Sequence, residues 1–141
     1  MFKKILLAYD GSEGSTHALE IAVDLAAHDG HEICLLSVIE NLPRYAEETI
    51  NDVDEMLEQA RQHFEHLQEV ASAIAARRGV TVTRHVEPGH VVETVVRLAE
   101  REKVDLIVIG GLGHSRMFRR TTGGTGSQIT YHAHCSVLVV R

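Results

Sequence analysis

Short apolar runs alternate with helical patterns along the whole chain. The mainly apolar runs lie at 2–9, 32–39, 104–109 and 135–140, and the segment 80–87 alternates between apolar and polar residues; each is typical of a β-strand. Helical patterns lie between them, at about 12–30, 47–78, 90–101 and 127–134. Strands that alternate with helices pair in parallel through right-handed crossovers. The order therefore predicts an α/β fold: a doubly wound five-stranded parallel sheet with helices on both faces.

Local signals mark where the helices begin and end. Ser12 is a typical N-cap with Glu13 in the first turn, and Gly30 provides a stop. The segment 47–78 carries a continuous apolar stripe in steps of three and four residues, which favours a long helix packed on the sheet. A coiled coil is the alternative there, because the period is close to a heptad.

Length and charge limit the classes of function. A chain of 141 residues predicts a single domain, 1–141. A formal net charge of −6 argues against nucleic acid as a partner, because its binders need a basic face. No apolar run approaches the roughly 20 residues that span a bilayer. The N-terminal run reaches Asp10 too soon for a signal peptide, so we predict a cytoplasmic protein with no membrane partner.

The cysteines and histidines indicate no metal site. Cys34 and Cys135 lie in apolar runs, and we expect buried free thiols in a reducing compartment. The ten histidines include the pairs His63/His66 and His132/His134, but no third and fourth ligand stands at a recognisable spacing.

The stretch IGGLGHSRMFRRTTGGTGSQIT, at 109–130, is the unusual part of the sequence. Its first glycines, from Gly110, let the backbone turn off a strand, and its second group precedes the last helix. The free N–H groups of a helix's first turn form an anion site, and arginines such as Arg116 can reach phosphate oxygens. The stretch therefore predicts a phosphate site, with a flexible surface loop as the alternative.

The turn after the first strand carries an acid instead of a phosphate loop. Its sequence is AYDGSEGS, so it has neither a Walker motif nor the dinucleotide fingerprint. Asp10 could accept a hydrogen bond from a ribose hydroxyl or a base amino group; the alternative is a residue that only supports the start of the helix beside Ser12. In doubly wound sheets ligands bind beyond the carboxyl ends of the strands, where both this turn and the glycine stretch lie.

Four segments resemble the universal stress protein family, and the resemblance covers almost the full chain. They are KKILLAYDGSEGSTHALEIAVDLA, LLSVIE, VDLIVIGGLG with the glycine loop, and AHCSVLVVR. Gly110, Gly113 and Gly123 match the glycines of the pattern G-x2-G-x9-G-(S/T) in the ATP-binding branch. The resemblance implies an adenine-nucleotide α-hydrolase-like, Rossmann-like fold, and a nucleotide-binding regulatory module of stress response.

The resemblance also implies site residues by position. Ala8, Tyr9 and Asp10 would line the adenine and ribose side, with Val38 against the base. Ile109, Gly110 and Gly113 would line the ribose and the first phosphates. The outer phosphates would be held by Gly123 and the residues that follow it, namely Gly124, Thr125 and Gly126.

This chain departs from the family pattern where hydroxyl residues are usual, at Gly124 and Gly126. ATP is the expected ligand, but ADP, AMP or cyclic AMP stay open, as does Mg²⁺ as a companion ion. A three-residue gap would place Gly126 and Ser127 on the motif but would shorten the last helix, so we prefer the ungapped match.

Three functions remain open after the resemblance. The first is the nucleotide-binding module, which the resemblance implies is a homodimer through the last strand, 135–140, with a protein partner that the sequence does not name. The second is an interaction scaffold without nucleotide. The third is a slow ATPase, for which His114 is the nearest candidate base, although it is more typical of a solvated loop histidine. We expect a binding protein and not an enzyme.

Overall fold

The computed structural model of the chain describes residues 2–40, 50–111 and 124–141. Nine elements follow one another in these ranges. They are β1 (Lys4–Ala8), α1 (Glu13–Asp29), β2 (Glu32–Ile39), α2 (Ile50–Arg77), β3 (Val82–Pro88), α3 (Val91–Arg101), β4 (Leu106–Gly110), α4 (Gly124–His132) and β5 (Ser136–Val140).

The five strands form one parallel sheet in the order β3-β2-β1-β4-β5, which confirms the predicted fold class. The chain winds outward from β1 to β3 on one side and from β4 to β5 on the other. The order reverses between β1 and β4, and such a switch point opens a crevice at the carboxyl ends of the strands.

Each face of the sheet has its own apolar core. Ile5 and Leu7 of β1 point to the face covered by α1 and α2, whereas Leu6 and Ala8 point to the face covered by α3 and α4. The alternation follows from the pleat, which sends successive side chains to opposite faces. All five residues of β4 are buried, as expected for a central strand with helices on both sides.

Helix α1 begins and ends at the predicted residues. The Ser12 side chain accepts a hydrogen bond from the Ser15 N–H, which satisfies one free donor of the first turn. Gly30 adopts the left-handed conformation with φ of 73°, and its N–H bonds to the Ala26 carbonyl.

Helix α2 is a single helix of 28 residues that packs on β2 and β3, as the sheet-packing interpretation predicts. Its second half lies in the core, where Ala71 and Ala75 are buried. Stripe residues of the first half, such as Leu57 and Phe64, are only half-buried.

Two expectations at the end of the chain were wrong in detail. Helix α4 begins at Gly124 and not at residue 127, so Gly124 and Gly126 are part of the helix. Strand β5 begins at Ser136, so Cys135 precedes it and is half-buried, whereas Cys34 on β2 is fully buried. Both thiols are free. Within the described ranges, no helix combines the length and apolar character that crossing a membrane requires.

Candidate functional site

The structure brings most of the predicted site residues to the carboxyl ends of the central strands. Strand β1 ends at Ala8, and Tyr9 follows it; both residues are buried. Asp10 comes next and is half-buried in the turn. Ile109 and Gly110 end the neighbouring β4, and Val38 lies near the end of β2 on the other side. Gly113, Arg116 and Gly123 lie outside the described residues.

The Asp10 carboxylate is held at the start of α1. Its Oδ1 accepts hydrogen bonds from the Ser12 N–H at 3.0 Å and from the Ser15 hydroxyl at 2.9 Å. A carboxylate at a helix N-terminus is favoured by the free N–H groups and by the helix dipole. This geometry supports the alternative that Asp10 stabilises the helix start, and it also gives the carboxylate a fixed position at the crevice.

Gly110 lies against the backbone of α1. A Cβ atom at Gly110 would be 2.7 Å from both the carbonyl carbon and oxygen of Gly14, and 3.0 Å from the Ser15 nitrogen. A Cβ at the next residue, Gly111, would be 2.5 Å from the Val140 carbonyl oxygen. Both positions therefore require glycine for packing alone, a reason that the sequence interpretation did not include.

The first turn of α4 contacts the end of β4. A Cβ at Gly126 would meet Ile109 Cδ1 at 3.5 Å, which is an ordinary contact distance. Gly124 has φ of 58°, a conformation that disfavours side chains. Thr125 is 8% exposed, so its side chain faces the protein interior.

A buried polar network below the β1–α1 turn was missed by the sequence interpretation. The Ser37 hydroxyl donates to the Tyr9 carbonyl at 2.7 Å, and the Gln68 amide donates to the Ser37 oxygen at 2.9 Å. Both side chains are buried. The available signal was the serine inside the apolar strand EICLLSVI.

The histidines form no recognisable metal centre in the part of the chain that the structure describes, where no three His, Cys, Asp or Glu side chains are grouped for a metal ion. His134 instead lies 2.6 Å from the Glu100 carboxylate.

A groove of about 490 Å³ lies between α3 and α4 on the surface, where Val92 and Val96 form its apolar floor beside His132. Arg97 and Glu100 also line this groove. It contains none of the predicted site residues.

Comparisons with known proteins agree with this architecture. The model of the universal stress protein family matches residues 1–141. A universal stress protein from Methanocaldococcus jannaschii is 31% identical over 144 residues, covering 100% of this chain and 83% of the relative. A universal stress protein from Bacillus subtilis is 30% identical over 151 residues, and the match covers 100% of this chain and 100% of the relative.

Solved structures share the fold. The universal stress protein UspA from Lactobacillus plantarum superposes with a TM-score of 0.86 at 23% identity, covering 99% of this chain and 97% of that one. A universal stress protein in complex with cAMP has a TM-score of 0.75 at 18% identity, with 99% of this chain and 97% of that chain covered. An Arabidopsis thaliana family member with AMP bound has a TM-score of 0.68 at 18% identity, with 98% and 90% covered. Identities at these levels show the shared fold alone, whereas the family model and the closer sequence relatives identify the kind of protein. The chain belongs to the universal stress protein family.

Proposed function

We propose that this chain binds an adenine nucleotide, with ATP as the first candidate, and acts as a regulatory module in stress response. The observation that carries the proposal is the convergence of Asp10, Val38, Gly110 and the first turn of α4 at the switch point of the sheet. Family membership supports it. The AMP and cAMP bound by two proteins of the same fold support adenine nucleotides as the ligand class.

The backbone at Val38 is suited to the edge of a base. The Tyr9 N–H donates to the Leu36 carbonyl at 2.8 Å, so the backbone groups of Leu36 face β1. Alternate residues of a strand direct their N–H and C=O groups to the same side, and those of Val38 therefore face the crevice as well. A donor and an acceptor side by side can pair with the ring nitrogen and the amino group of adenine.

The Asp10 carboxylate is suited to the ribose. It is held by Ser12 and Ser15 at the start of α1, and the adjacent Tyr9 is tied to β2. We infer that it accepts a hydrogen bond from a ribose hydroxyl, at the position that the family resemblance implies.

The N-terminal turn of α4 is suited to phosphate. Its backbone N–H groups and its positive dipole end favour an anion. Gly124, Thr125 and Gly126 form this turn, beside the end of β4. We propose that Ile109, Gly110, Gly113, Gly123 and Arg116 complete the phosphate side, as the glycine pattern and the charge of the loop imply.

A second function is favoured by one observation. Gly124 and Gly126 have no hydroxyl groups, so the turn offers fewer donors to outer phosphates than the family pattern does. A scaffold that binds a protein partner without nucleotide is therefore the alternative, and the choice among ATP, ADP, AMP and cyclic AMP belongs to the same test.

We further propose that residues 1–141 act as one cytoplasmic domain that holds the nucleotide without turning it over, with or without Mg²⁺. Strand β5 lies at an edge of the sheet and exposes Leu138 and Val139. Pairing with the same strand of a second copy would cover this edge and create a symmetric homodimer.

The deciding experiment analyses the nucleotide that accompanies the protein. Protein purified without added nucleotide is denatured with acid, and the supernatant is analysed by liquid chromatography with mass detection. A near-stoichiometric adenine nucleotide is the expected result. A clean supernatant, followed by no heat on titration with ATP, ADP, AMP and cyclic AMP, would overturn the proposal in favour of the scaffold.

A matched pair of variants assigns the site. Asp10→Asn keeps an oxygen that can accept from the Ser12 N–H but removes the charge, and we expect it to weaken binding about tenfold, as loss of a charged hydrogen bond does. Asp24→Asn removes a carboxylate paired with Arg78 on the exposed surface and should bind like the wild type.

A further inference from the structure

Gln68 is a deeply buried polar side chain of α2. It is 1% exposed, and its amide nitrogen makes two hydrogen bonds, to the Ser37 hydroxyl at 2.9 Å and to the His85 carbonyl at 2.9 Å. Both amide hydrogens are therefore used, as a buried polar group requires. One side chain of α2 thus contacts both β2 and β3.

The direction of these hydrogen bonds is determined by their chemistry. A backbone carbonyl can only accept, so the group of Gln68 beside His85 is the NH₂ and not the oxygen. Ser37 then accepts from Gln68, and it donates its own hydrogen to the Tyr9 carbonyl at 2.7 Å. The hydrogen bonds consequently run in one direction from α2 through β2 to Tyr9, the residue that follows β1.

Tyr9 is held by both of its backbone groups. Its N–H donates to the Leu36 carbonyl at 2.8 Å, and its carbonyl accepts from Ser37. Asp10 comes next in the chain, and Gly11 follows in the left-handed conformation with φ of 80°.

Helix α2 contacts the same turn a second time. A Cβ at Gly11 would be 2.9 Å from Leu67 Cδ1, so the neighbour of Gln68 packs directly on the turn. Two consecutive residues of α2 thus reach residues 9–11, Leu67 by packing and Gln68 through hydrogen bonds.

We propose that Gln68 is a positioning residue for the nucleotide: through Ser37 it holds the Tyr9 carbonyl, and so places the Asp10 carboxylate where the ribose binds. The proposal rests on the proposed nucleotide function and adds a residue that would not touch the ligand. The affinity for nucleotide then depends on how α2 packs against the sheet. By linkage, a nucleotide that binds this turn geometry more tightly also stabilises α2 in its packed position on the sheet.

The test uses the full chain with Gln68→Leu, Ser37→Ala and the double variant. Affinity for AMP is measured by titration calorimetry, because AMP carries the base and ribose without the outer phosphates. Exchange of the backbone amides at residues 9–12 is measured by NMR without ligand. We expect each single variant to raise Kd about tenfold, and the double variant to add little, since both break one chain of hydrogen bonds. Amide exchange in the turn should accelerate more than elsewhere in the sheet.

Ile107→Val is the matched control. It removes one buried methylene on the other face of the sheet, away from Gln68, and lowers stability without affecting the network. We expect it to leave Kd within about twofold of the wild-type value and to leave exchange in the turn unchanged relative to the rest of the sheet.

The two proposals can fail separately. If the wild-type protein binds no nucleotide, the proposed function fails, and amide exchange alone then decides whether Gln68 positions the turn. Wild-type exchange at residues 9–12 in Ser37→Ala and in Gln68→Leu would overturn the inference. So would an unchanged Kd for AMP in a protein that does bind it. If Gln68→Leu does not fold, Ser37→Ala, which loses a single hydroxyl, decides the matter.

Discussion

Gly14 in the first turn of α1 and Gly110 at the end of β4 lie in direct backbone contact. A Cβ added to Gly110 would be 2.7 Å from the Gly14 carbonyl carbon and oxygen, closer than such atoms can approach. The contact brings the start of α1, with the Asp10 carboxylate, beside the strand that leads into the glycine stretch. At Gly110, the crevice of the proposed site therefore has no space for a side chain.

We expect Gly110→Ala to destabilise the protein by about 1–3 kcal/mol, because the new methyl group would meet backbone that cannot rotate away. Urea denaturation measures the effect. Gly126→Ala is the control, since its Cβ would meet only Ile109 Cδ1 at an ordinary 3.5 Å, and helix propensity favours alanine there by up to about 1 kcal/mol. Equal stabilities of the two variants would contradict this interpretation of Gly110.

A hydroxyl group restored at the start of α4 should improve binding of the outer phosphates. Gly126→Ser fits the available space, and a hydrogen bond to a charged group is worth about 1.5 kcal/mol, so we expect Kd for ATP to fall about tenfold. Affinity for AMP, which lacks those phosphates, should stay unchanged in the same calorimetric titrations.

Gly126→Ala separates the hydroxyl from the helix effect, because it adds a methyl group without a donor. An equal gain in ATP affinity for the alanine variant would show that the hydroxyl is not responsible. Gly124 is less suited to this substitution, since its φ of 58° would strain a serine there.

The exposed apolar side chains of β5 provide a test of assembly. Leu138 and Val139 are 36% and 39% exposed on a strand at the sheet edge. We expect the double substitution to lysine to convert a dimer into single chains in sedimentation velocity, because charges at a paired edge repel and are costly to bury. Val70→Lys, on the exposed surface of α2, should leave the mass of the assembly unchanged. A wild-type protein that sediments as a single chain would contradict the dimer.

The two thiols should differ in reactivity. Burial raises the pKa of the Cys34 thiol to about 11, and burial also raises the pKa of Cys135, which is only half-buried. Because the thiolate is the reactive form, we expect a disulfide reagent at pH 8 to modify Cys135 slowly and Cys34 only when the protein opens. Cys135→Ser isolates Cys34, and its rapid modification in the native protein would contradict the packing of β2.

Glu102 predicts a pH dependence of stability. The Lys4 ammonium donates to its carboxylate at 3.2 Å, and this hydrogen bond lowers the pKa of Glu102 from its ordinary value of 4.5. A pKa lowered in the folded state stabilises the protein above pH 4.5, and that contribution is lost as the pH falls through the folded-state value. Glu102→Gln should therefore be less stable than wild type at pH 7, with the difference vanishing in acid.

Urea denaturation at pH 7 and pH 3 measures this difference. Glu93→Gln removes the exposed carboxylate that pairs with Arg97 at 3.6 Å and serves as the control, with a smaller effect at neutral pH. A Glu102→Gln protein with wild-type stability at pH 7 would show that the Lys4 contact contributes nothing.

The sequence was a good guide wherever the determining signal is local. Strand β2 was predicted with its observed bounds, because a mainly apolar segment of eight residues is preceded by the helix stop at Gly30. Ser12 begins α1 through its own hydroxyl, and Gly30 ends it through its own backbone conformation. Alternation of such elements was enough to predict the parallel sheet, since crossover connections allow few other arrangements.

The residues of the candidate site were predicted from a family resemblance, and the fold brings the described ones to the carboxyl ends of the strands. The start of α4 was predicted at residue 127, three residues too late, because glycines favour a loop when the packing of the helix is not known. Cys135 was placed in a strand that begins one residue after it. These are the boundaries that propensity alone determines least well.

Tertiary structure decided what distant residues do for one another. Gly110 must be glycine because Gly14, far away in sequence, packs against it. Gln68 reads as an ordinary polar residue beside an apolar stripe, and only the packing of α2 on the sheet shows that its amide is buried and joined through Ser37 to Tyr9. Local signals determine the elements because they act within a few residues, whereas close contacts and buried hydrogen bonds depend on where the folded chain brings separate elements together.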